Sequence, residues 1–275
     1  MSAVQLTGIA IFEHVRQSGK GLTFLFDAQF FPATNGPLVV LLKYFNRNGE
    51  LSFTDGSRFF VEANVTKMID SVDPHYTEDI PEESRLTTKE FDMVGDIVWL
   101  CPAPKVNPPS RLPIFRVAGV AFNTHASTAS FKIHPEQYVS LVKEAAGSTT
   151  TASIPAVKVT ACPVLATIPD SPRYKFSKKP LPTNGRYIFM SGFLTKVERN
   201  NEEHAVRFCI DVETIAFLGN SLIAPRAASR TPAKNCSTTK KLKYTFDDTD
   251  EENNTSTPLK RKLSVASDAS LTQTE

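Results

Sequence analysis

The residues best suited to chemistry lie in a basic stretch of the chain that runs from Ile154 to Arg186. This stretch holds six Lys or Arg side chains against one acid, Asp170, which gives a local net charge of +5. Tyr174 and Phe176 are interleaved with the cations. Cations that neutralise phosphates beside aromatic rings that stack on bases are typical of proteins that bind single-stranded nucleic acid.

We therefore predict that one set of residues in this stretch binds nucleic acid. The set is Arg173, Tyr174, Lys175, Phe176, Lys178, Lys179 and Arg186. A competing interpretation is a solvated, Lys-rich linker whose aromatic side chains pack on the folded domain. The two interpretations differ in one observable, because a binding site requires the cations to converge on one groove in which the rings are exposed.

Catalytic chemistry has less support in the sequence. Asp211 and Glu213 fall on one face of a predicted strand and could together hold Mg²⁺ in a nuclease-like site. No third carboxylate follows at a suitable spacing, and an exposed polar face explains the pair more simply. The five His residues are scattered, the four Cys residues form no CxxC pair, and no Gly-rich phosphate loop is present. We expect no catalytic residue, no metal site and no cofactor.

The most regular part of the chain, residues 185–219, is predicted to be a β-hairpin. Two alternating apolar runs, residues 187–197 and 205–218, flank a polar tip. The period of two in the second run predicts one buried face and one exposed face. The predicted buried residues are Phe208, Ile210 and Val212, and the predicted exposed residues are Arg207, Asp211 and Glu213.

A short pattern with a bend residue recurs along the chain. It reads VQLTGI, FVEANV, FRVAGV and IFMSGF, and its bend residues are Gly8, Asn64, Gly119 and Gly192. Glycine inside a strand marks a bulge or a sharp bend, as at the corner of a barrel. The irregular spacing of the copies excludes a solenoid and is compatible with successive small β-modules.

One helix is predicted, and it follows a second hairpin at residues 115–133. Pro135 suits the first helical position, Tyr138, Leu141 and Val142 share a face at helical spacing, and Gly147 is placed to end the helix. Short strands with one short helix are typical of small barrels such as the OB-fold.

Two resemblances accompany these patterns. The run from Ser171 to Gly219, with PRYKFSKKPLP, GRYIFMSGFLTKVERN and RFCIDVETIAFLG, resembles a segment of fungal, especially basidiomycete, proteins and implies no established activity. The bend-containing strands resemble the first strand of OB-fold nucleic-acid-binding modules. That resemblance concerns shape, and no motif in it identifies a binding residue.

The sequence therefore predicts an all-β protein with one or two OB-like barrels, one short helix and a disordered C-terminal tail. Residues 1–146 are predicted to form a barrel-like domain with the helix near its end, and residues 147–182 a Pro-rich basic linker or strap. Residues 183–224 are predicted to be a hairpin that completes a barrel or a second module, and residues 225–275 to be the tail.

The rest of the charge distribution indicates little about partners. The formal net charge of +2 is too small to imply any. Between Glu62 and Asp96, ten acids stand against three bases, a local net of −7, which we interpret as a solvated loop. No run approaches the roughly 18 apolar residues of a membrane span, so no membrane association is expected. The first residues lack a basic leader, which favours an intracellular protein.

The tail carries two basic clusters that predict nuclear import. Their cations are Lys240, Lys241, Lys243, Lys260, Arg261 and Lys262. Import receptors recognise such clusters. We expect a fluorescent fusion truncated after Ala227 to lose nuclear accumulation while the protein keeps its thermal unfolding transition. Unchanged nuclear accumulation would contradict the targeting prediction, and a lost transition would contradict the predicted disorder.

These observations favour a nuclear, non-enzymatic protein that binds nucleic acid, with single strands favoured, through the basic and aromatic strap. A first alternative is a protein-interaction module that uses exposed strand edges and the acidic segment. A second alternative is a metal-dependent nuclease-like protein centred on Asp211 and Glu213.

Overall fold

β-Strands form almost all of the regular structure. The computed structural model describes residues 2–18, 21–34, 36–49, 51–104, 112–142 and 160–220. Its strands are β1 (Ala3–Gln17), β2 (Thr23–Phe30), β3 (Leu38–Phe45), β4 (Ser57–Lys67), β5 (Met93–Pro102), β6 (Ile114–His125), β7 (Ser130–Ile133), β8 (Glu136–Gln137), β9 (Thr160–Ala161), β10 (Val164–Thr167), β11 (Arg186–Arg199) and β12 (Ala205–Asn220). Short 3₁₀ turns lie at Glu82–Ser84, Thr88–Glu90 and Pro172–Tyr174.

The first five strands close into one barrel. β1 pairs with β2, β2 with β3, β3 with β5, β5 with β4, and β4 returns to β1. Only the β3–β5 pair is parallel within this barrel. A closed five-stranded barrel with this Greek-key order is OB-like. The predicted all-β, OB-like fold is confirmed in this part of the chain.

A second barrel repeats the same order with later strands. β6 pairs with β7, β7 with β10, β10 with β12, β12 with β11, and β11 returns to β6. The β10–β12 pair is parallel, as is the corresponding pair of the first barrel. The structure therefore contains two OB-like barrels in tandem, which the sequence could not distinguish from one.

The four bend residues occupy matching places in the two barrels. Gly8 and Gly119 lie in the first strands, β1 and β6, and Asn64 and Gly192 lie in the fourth strands, β4 and β11. A Cβ atom built on Gly192 would lie 2.3 Å from the carbonyl oxygen of Asp211, so only glycine fits there. The register of β11 against β12 shifts between Ser191 and Gly192, as expected for a bulge.

The two barrels are joined through their first strands. Residues Ala3 to Thr7 of β1 pair antiparallel with residues Ile114 to Ala118 of β6. Val4 lies opposite Val117, and Leu6 lies opposite Phe115, so the register is symmetric about the pair of Gln5 and Arg116. The Arg116 Nη1 group donates a 3.1 Å hydrogen bond to Gln5 Oε1 at this centre. One continuous sheet, in the order β5–β4–β1–β6–β11–β12, therefore crosses both barrels.

The predicted buried face of β12 is confirmed, and the predicted exposure of its other face is found for one residue of three. Phe208, Ile210 and Val212 are buried in the core that the barrels share, with exposures of 0%, 1% and 5%. Glu213 is exposed, and Arg207 and Asp211 on the same outer face are half-buried. A strand with one packed face sorts its side chains in this way.

The short helix begins later than predicted. Residues 140–142 are helical, whereas Glu136 and Gln137, which the sequence assigned to the helix, form β8 and pair with β9. Pro135 is therefore not the first helical residue. Leu141 and Val142 are buried, but Tyr138 is 42% exposed and does not share their face. The tertiary pairing with Thr160 and Ala161 prevails over the local helical pattern at this position.

The strand pairing also differs from the predicted division of the chain at residue 146. β6 and β7 pair with β11 and β10 and so belong to the second barrel. β10, inside the predicted strap of residues 147–182, is the third strand of that barrel. The predicted tail and its two basic clusters lie outside the described residues. Within the described part of the chain, no helix has the length and apolar character needed to cross a membrane.

Candidate nucleic-acid interface

OB-folds bind oligonucleotides on the outer face of strands 2 and 3, with help from the neighbouring loops. In the first barrel this face is covered by residues 68–92, which we call the cover segment. Leu25 of β2, Leu41 of β3 and Val94 of β5 are buried in one apolar cluster with Met68 and Phe91 of the cover segment. Residues 139, 141 and 142 join the same cluster. The binding face of the first barrel is therefore an internal surface of this protein.

A buried polar group holds the cover segment on β2. Asp27, 1% exposed, lies 2.8 Å from the Nη2 atom of Arg16 and accepts a 2.7 Å hydrogen bond from the Tyr76 hydroxyl. The Arg16 Nε group donates to the carbonyl of Pro74, and its guanidinium lies 4.3 Å from the centre of the Tyr76 ring. Burial, followed by the hydrogen bond to Asp27, raises the pKa of Tyr76. The hydroxyl therefore stays protonated and acts as a donor.

The cover segment is also strongly acidic. It holds eight Asp or Glu residues and two Lys or Arg residues, a net charge of −6. The acidic stretch that the sequence suggested to be a solvated loop thus packs its apolar side chains on the barrel and exposes most of its carboxylates. Such a surface repels a phosphate backbone. The first barrel is unsuited to bind nucleic acid on this face.

In the second barrel, the connection that corresponds to the cover segment is short. The connection between β11 and β12 is only residues 200–204, which is too short to fold back over the sheet. Strand register places five outward side chains at matching positions, one on each strand, so the set runs round the closed barrel; all five are exposed or half-exposed. They are Phe122, Lys132, Leu165, Cys209 and Lys196.

A third cation, Arg207 of β12, adjoins this row. Its Nε group donates a 2.8 Å hydrogen bond to Glu198, and its Nη2 group also contacts that carboxylate. The hydrogen bond from Arg207 lowers the pKa of Glu198. Each partner of this ion pair is 30% exposed at the side chain, so solvent screens it and the guanidinium has further donors for a ligand. Lys196 instead lines a groove with Lys89 and Glu90 of the cover segment. We refer to Lys132 and Arg207 as the cation row.

An aromatic cleft of about 650 Å³ lies beside the cation row. Its walls include Val120, Phe122, His134, Tyr138 and Tyr187. The rings of Phe122 and His134 meet edge to face, with centroids 4.7 Å apart. Burial lowers the pKa of His134, and the charges of Lys132 and Arg207 lower it further, so both cations lie close to this ring. Neutral aromatic walls and cations thus adjoin on one side of the second barrel.

The residues predicted from the sequence lie elsewhere, and most of them have structural partners. Tyr174 and Leu181 pack against the core, so this part of the strap is held on the folded domain. Lys179 donates to the carbonyl of Ile168 and pairs with Asp170, each over 2.7 Å. The pairing with Lys179 lowers the pKa of Asp170. These contacts match the linker interpretation for this half of the strap.

The other predicted cations are divided between contacts and solvent. Arg186 stacks over the Phe217 ring at 4.4 Å, and the Arg173 Nη1 group donates to the carbonyl of Glu213 over 3.2 Å. Lys175 and Lys178 are exposed. Phe176 is 92% exposed, and the Lys175 amino group lies 5.4 Å from its centre. None of the seven predicted residues lines the aromatic cleft.

The two carboxylates of the nuclease alternative lie near each other on β12. Burial raises the pKa of Asp211, and the charge of Glu213 raises it further. Among the described residues, no group of three or more His, Cys, Asp or Glu side chains is placed to hold a metal ion. The pair is thus part of the outer face that carries the cation row.

Sequence reasoning missed the cation row and the aromatic cleft as a site. Arg207 was predicted to be exposed without a role, and Lys132, Lys196 and His134 were not singled out. A weak signal existed, because Phe122 and Lys132 occupy outward positions of the predicted hairpin at residues 115–133. No local pattern showed that β10 and β12 would complete the same face.

Comparisons with known proteins give structural matches alone. No family model matches the chain, and no curated protein matches it. The wild-type single-stranded DNA binding protein from Thermus aquaticus is similar with a TM-score of 0.36 and 12% identity, over 86% of this chain and 96% of that chain. A deletion variant of that protein gives a TM-score of 0.38 and 11% identity, over 83% and 98% of the two chains. The fungal resemblance has no counterpart among these matches.

Proposed function

We propose that this protein is a non-enzymatic binder of single-stranded nucleic acid and that it binds through the second barrel. One observation carries the proposal: Lys132 lies opposite Phe122 in the wall of the aromatic cleft, and the charges of Lys132 and Arg207 act on His134 in the same wall. Lys132 and Arg207 are suited to phosphates, and Phe122 and Tyr138 are suited to stacking on bases. Together they supply the two kinds of contact that sequence-tolerant binding of single strands requires.

The strap remains part of the proposal in a smaller role. Lys175, Phe176 and Lys178 are exposed and could contact a strand that extends beyond the cation row. Arg173, Tyr174, Lys179 and Arg186 are expected to act mainly through the structural contacts described above. Nuclear localisation is likewise a proposal, and it rests on the two basic clusters of the tail.

A protein-interaction role is the second candidate, and exposed apolar side chains at the end of β5 favour it. Val98, Trp99 and Phe60 are 56%, 53% and 39% exposed. Beyond Asp96, β5 pairs with β4 on one side and has no strand partner on its other side among the described residues. Such an edge is suited to receive an extended peptide.

Binding to labelled 12-nucleotide single strands, followed by fluorescence anisotropy at several salt concentrations, tests the proposal. Replacing Lys132 and Arg207 together with Ala is expected to remove two phosphate contacts and flatten the slope of log affinity against log salt by about 1.4 units. Phe122→Ala or Tyr138→Ala is expected to cost about 1–3 kcal/mol of binding free energy and leave the slope unchanged, because stacking releases no counterions.

Matched variants separate the possible sites. The pair Arg47→Ala and Lys89→Ala removes two exposed cations from the first barrel and its cover segment, and no change in slope is expected. The pair Lys175→Ala and Lys178→Ala measures how much the strap alone contributes to the salt dependence of binding. A slope change confined to the strap pair would move the site to the strap. Absence of binding by the unmodified protein at low salt would reject nucleic-acid binding and favour the protein-interaction role.

A further inference from the structure

We propose that the aromatic cleft of the second barrel reads the bases it holds and that Glu136 selects bases with an exocyclic amino group. This inference rests on the proposed function and adds to it a preference of guanine and cytosine over thymine and uracil. The selecting residue, Glu136, is not part of the cation row.

The structure fixes the backbone of Glu136 at the edge of the cleft. The Ser2 hydroxyl donates a 2.7 Å hydrogen bond to the Glu136 carbonyl, and the Glu136 N–H group donates to the same hydroxyl oxygen over 3.0 Å. β8, which contains Glu136, pairs with Ala161 of β9. The side chain of Glu136 lines the cleft and is exposed. The backbone of Glu136 is therefore fixed at the edge of the cleft, and its carboxylate is within reach of whatever occupies the cleft.

The neighbouring Gln137 cannot take this role. Its Oε1 atom accepts a 2.9 Å hydrogen bond from the Val4 N–H group, and its Nε2 group donates to the carbonyl of Tyr138 over 2.9 Å. Both the oxygen and the nitrogen of this amide are thus engaged in hydrogen bonds within the protein. Tyr138, 42% exposed, remains available as a stacking surface beside the carboxylate.

An ionised carboxylate only accepts hydrogen bonds, and this property decides which bases it favours. Guanine presents adjacent N1–H and N2–H donors that match two carboxylate oxygens, and cytosine and adenine each present one amino group. Thymine and uracil present carbonyl oxygens on both sides of a single N–H group, so the carboxylate would face like partial charges.

The test is the affinity ratio between a 12-nucleotide oligo-dC and an oligo-dT of equal length, measured by anisotropy. These two strands carry the same backbone charge, so the ratio reports on the bases alone. The unmodified protein is expected to prefer oligo-dC by about tenfold. Glu136→Gln is expected to reduce the ratio to about one, because an amide offers a donor as well as an acceptor.

Glu83→Gln is the matched control, since it removes an exposed carboxylate of the cover segment. Glu83→Gln should bind both strands equally well or slightly more tightly, because it removes one negative charge, and it should keep the tenfold ratio. Glu136→Gln should lose affinity for oligo-dC relative to oligo-dT. Equal binding of oligo-dC and oligo-dT by the unmodified protein would overturn base selection and leave the proposed function intact. A ratio that survives Glu136→Gln would overturn the role of Glu136. Absence of binding to both strands would instead reject the proposed function.

Discussion

Asp27→Ala is expected to destabilise the protein by about 3–5 kcal/mol, a loss typical of breaking a buried ion pair from one side. Arg16, 3% exposed, would keep its charge in the core without the carboxylate that now lies 2.8 Å away. The Tyr76 hydroxyl would lose its acceptor as well. The loss is measured as the free energy of unfolding in urea.

Two further variants identify the physical origin of this loss. Asp73→Ala removes an exposed carboxylate of the cover segment and is expected to change stability by less than about 0.5 kcal/mol. Adding Arg16→Met to Asp27→Ala should recover part of the loss, because the uncompensated buried charge is removed. A loss below 1 kcal/mol for Asp27→Ala would mean that water reaches the Arg16 guanidinium in the folded state.

The same substitution should loosen the cover segment before the barrel unfolds. The contacts of Asp27 and Arg16 with Tyr76 and Pro74 tie residues of the cover segment to β1 and β2. Limited proteolysis is expected to cut Asp27→Ala within residues 68–92 faster than the unmodified protein. The apolar contacts of Met68 and Phe91 would remain, so the segment is expected to open locally and not to detach.

Arg199→Ala is expected to cost about 3 kcal/mol, because it leaves Asp92 buried without its cation. Asp92 is 3% exposed and accepts hydrogen bonds from the Arg199 Nε and Nη2 groups, over 3.1 and 2.8 Å. Arg199 belongs to β11 of the second barrel, and Asp92 directly precedes β5 of the first. The pair therefore couples the two barrels, and thermal unfolding of the variant should occur at a lower temperature.

The effect of Arg199→Ala should depend on pH. Burial raises the pKa of Asp92 even with Arg199 present, and hydrogen bonds from Arg199 and Val39 oppose the shift. Without Arg199 the pKa rises further, so the folded variant takes up a proton more readily than the unfolded chain. Its stability relative to the unmodified protein should therefore improve as the pH falls from 7 towards 4. A penalty that is the same at both pH values would contradict this explanation.

Arg207→Ala provides the comparison for this prediction. Arg207 makes a similar two-pronged contact with Glu198, but both side chains are 30% exposed. Water can hydrate the Glu198 carboxylate once Arg207 is removed, so we expect the free energy of unfolding to fall by at most about 1 kcal/mol. Equal losses from Arg199→Ala and Arg207→Ala would show that burial of the partner does not set the penalty.

Features that lie within one β-strand were predictable from the sequence. The burial of Phe208, Ile210 and Val212 follows from a period of two, which depends only on the geometry of an extended chain. The bend residues also carried real information, since Gly8 and Gly119 lie in the first strands of the two barrels. Both features are encoded within a few residues, and local sequence is sufficient to specify them.

Features that depend on distant pairing were not predictable. The strap was interpreted as a linker because prolines dominate it, yet Val164–Thr167 forms β10 between β7 and β12. A four-residue strand has too weak a local signal to be distinguished from a loop. Its existence is decided by partners more than 30 residues away in either direction, which supply its backbone hydrogen bonds.

The sequence by itself determined that this chain forms bent β-strands and that its charge is divided between an acidic and a basic stretch. Only the tertiary structure decided which barrel face stays accessible, because this depends on where the segments between strands fold. Residues 68–92 pack on the first barrel, whereas residues 200–204 are too few to cover the second. Lys132 and Arg207 both act on His134 because β7 and β12 belong to one barrel, and closure is a property of the whole pairing order.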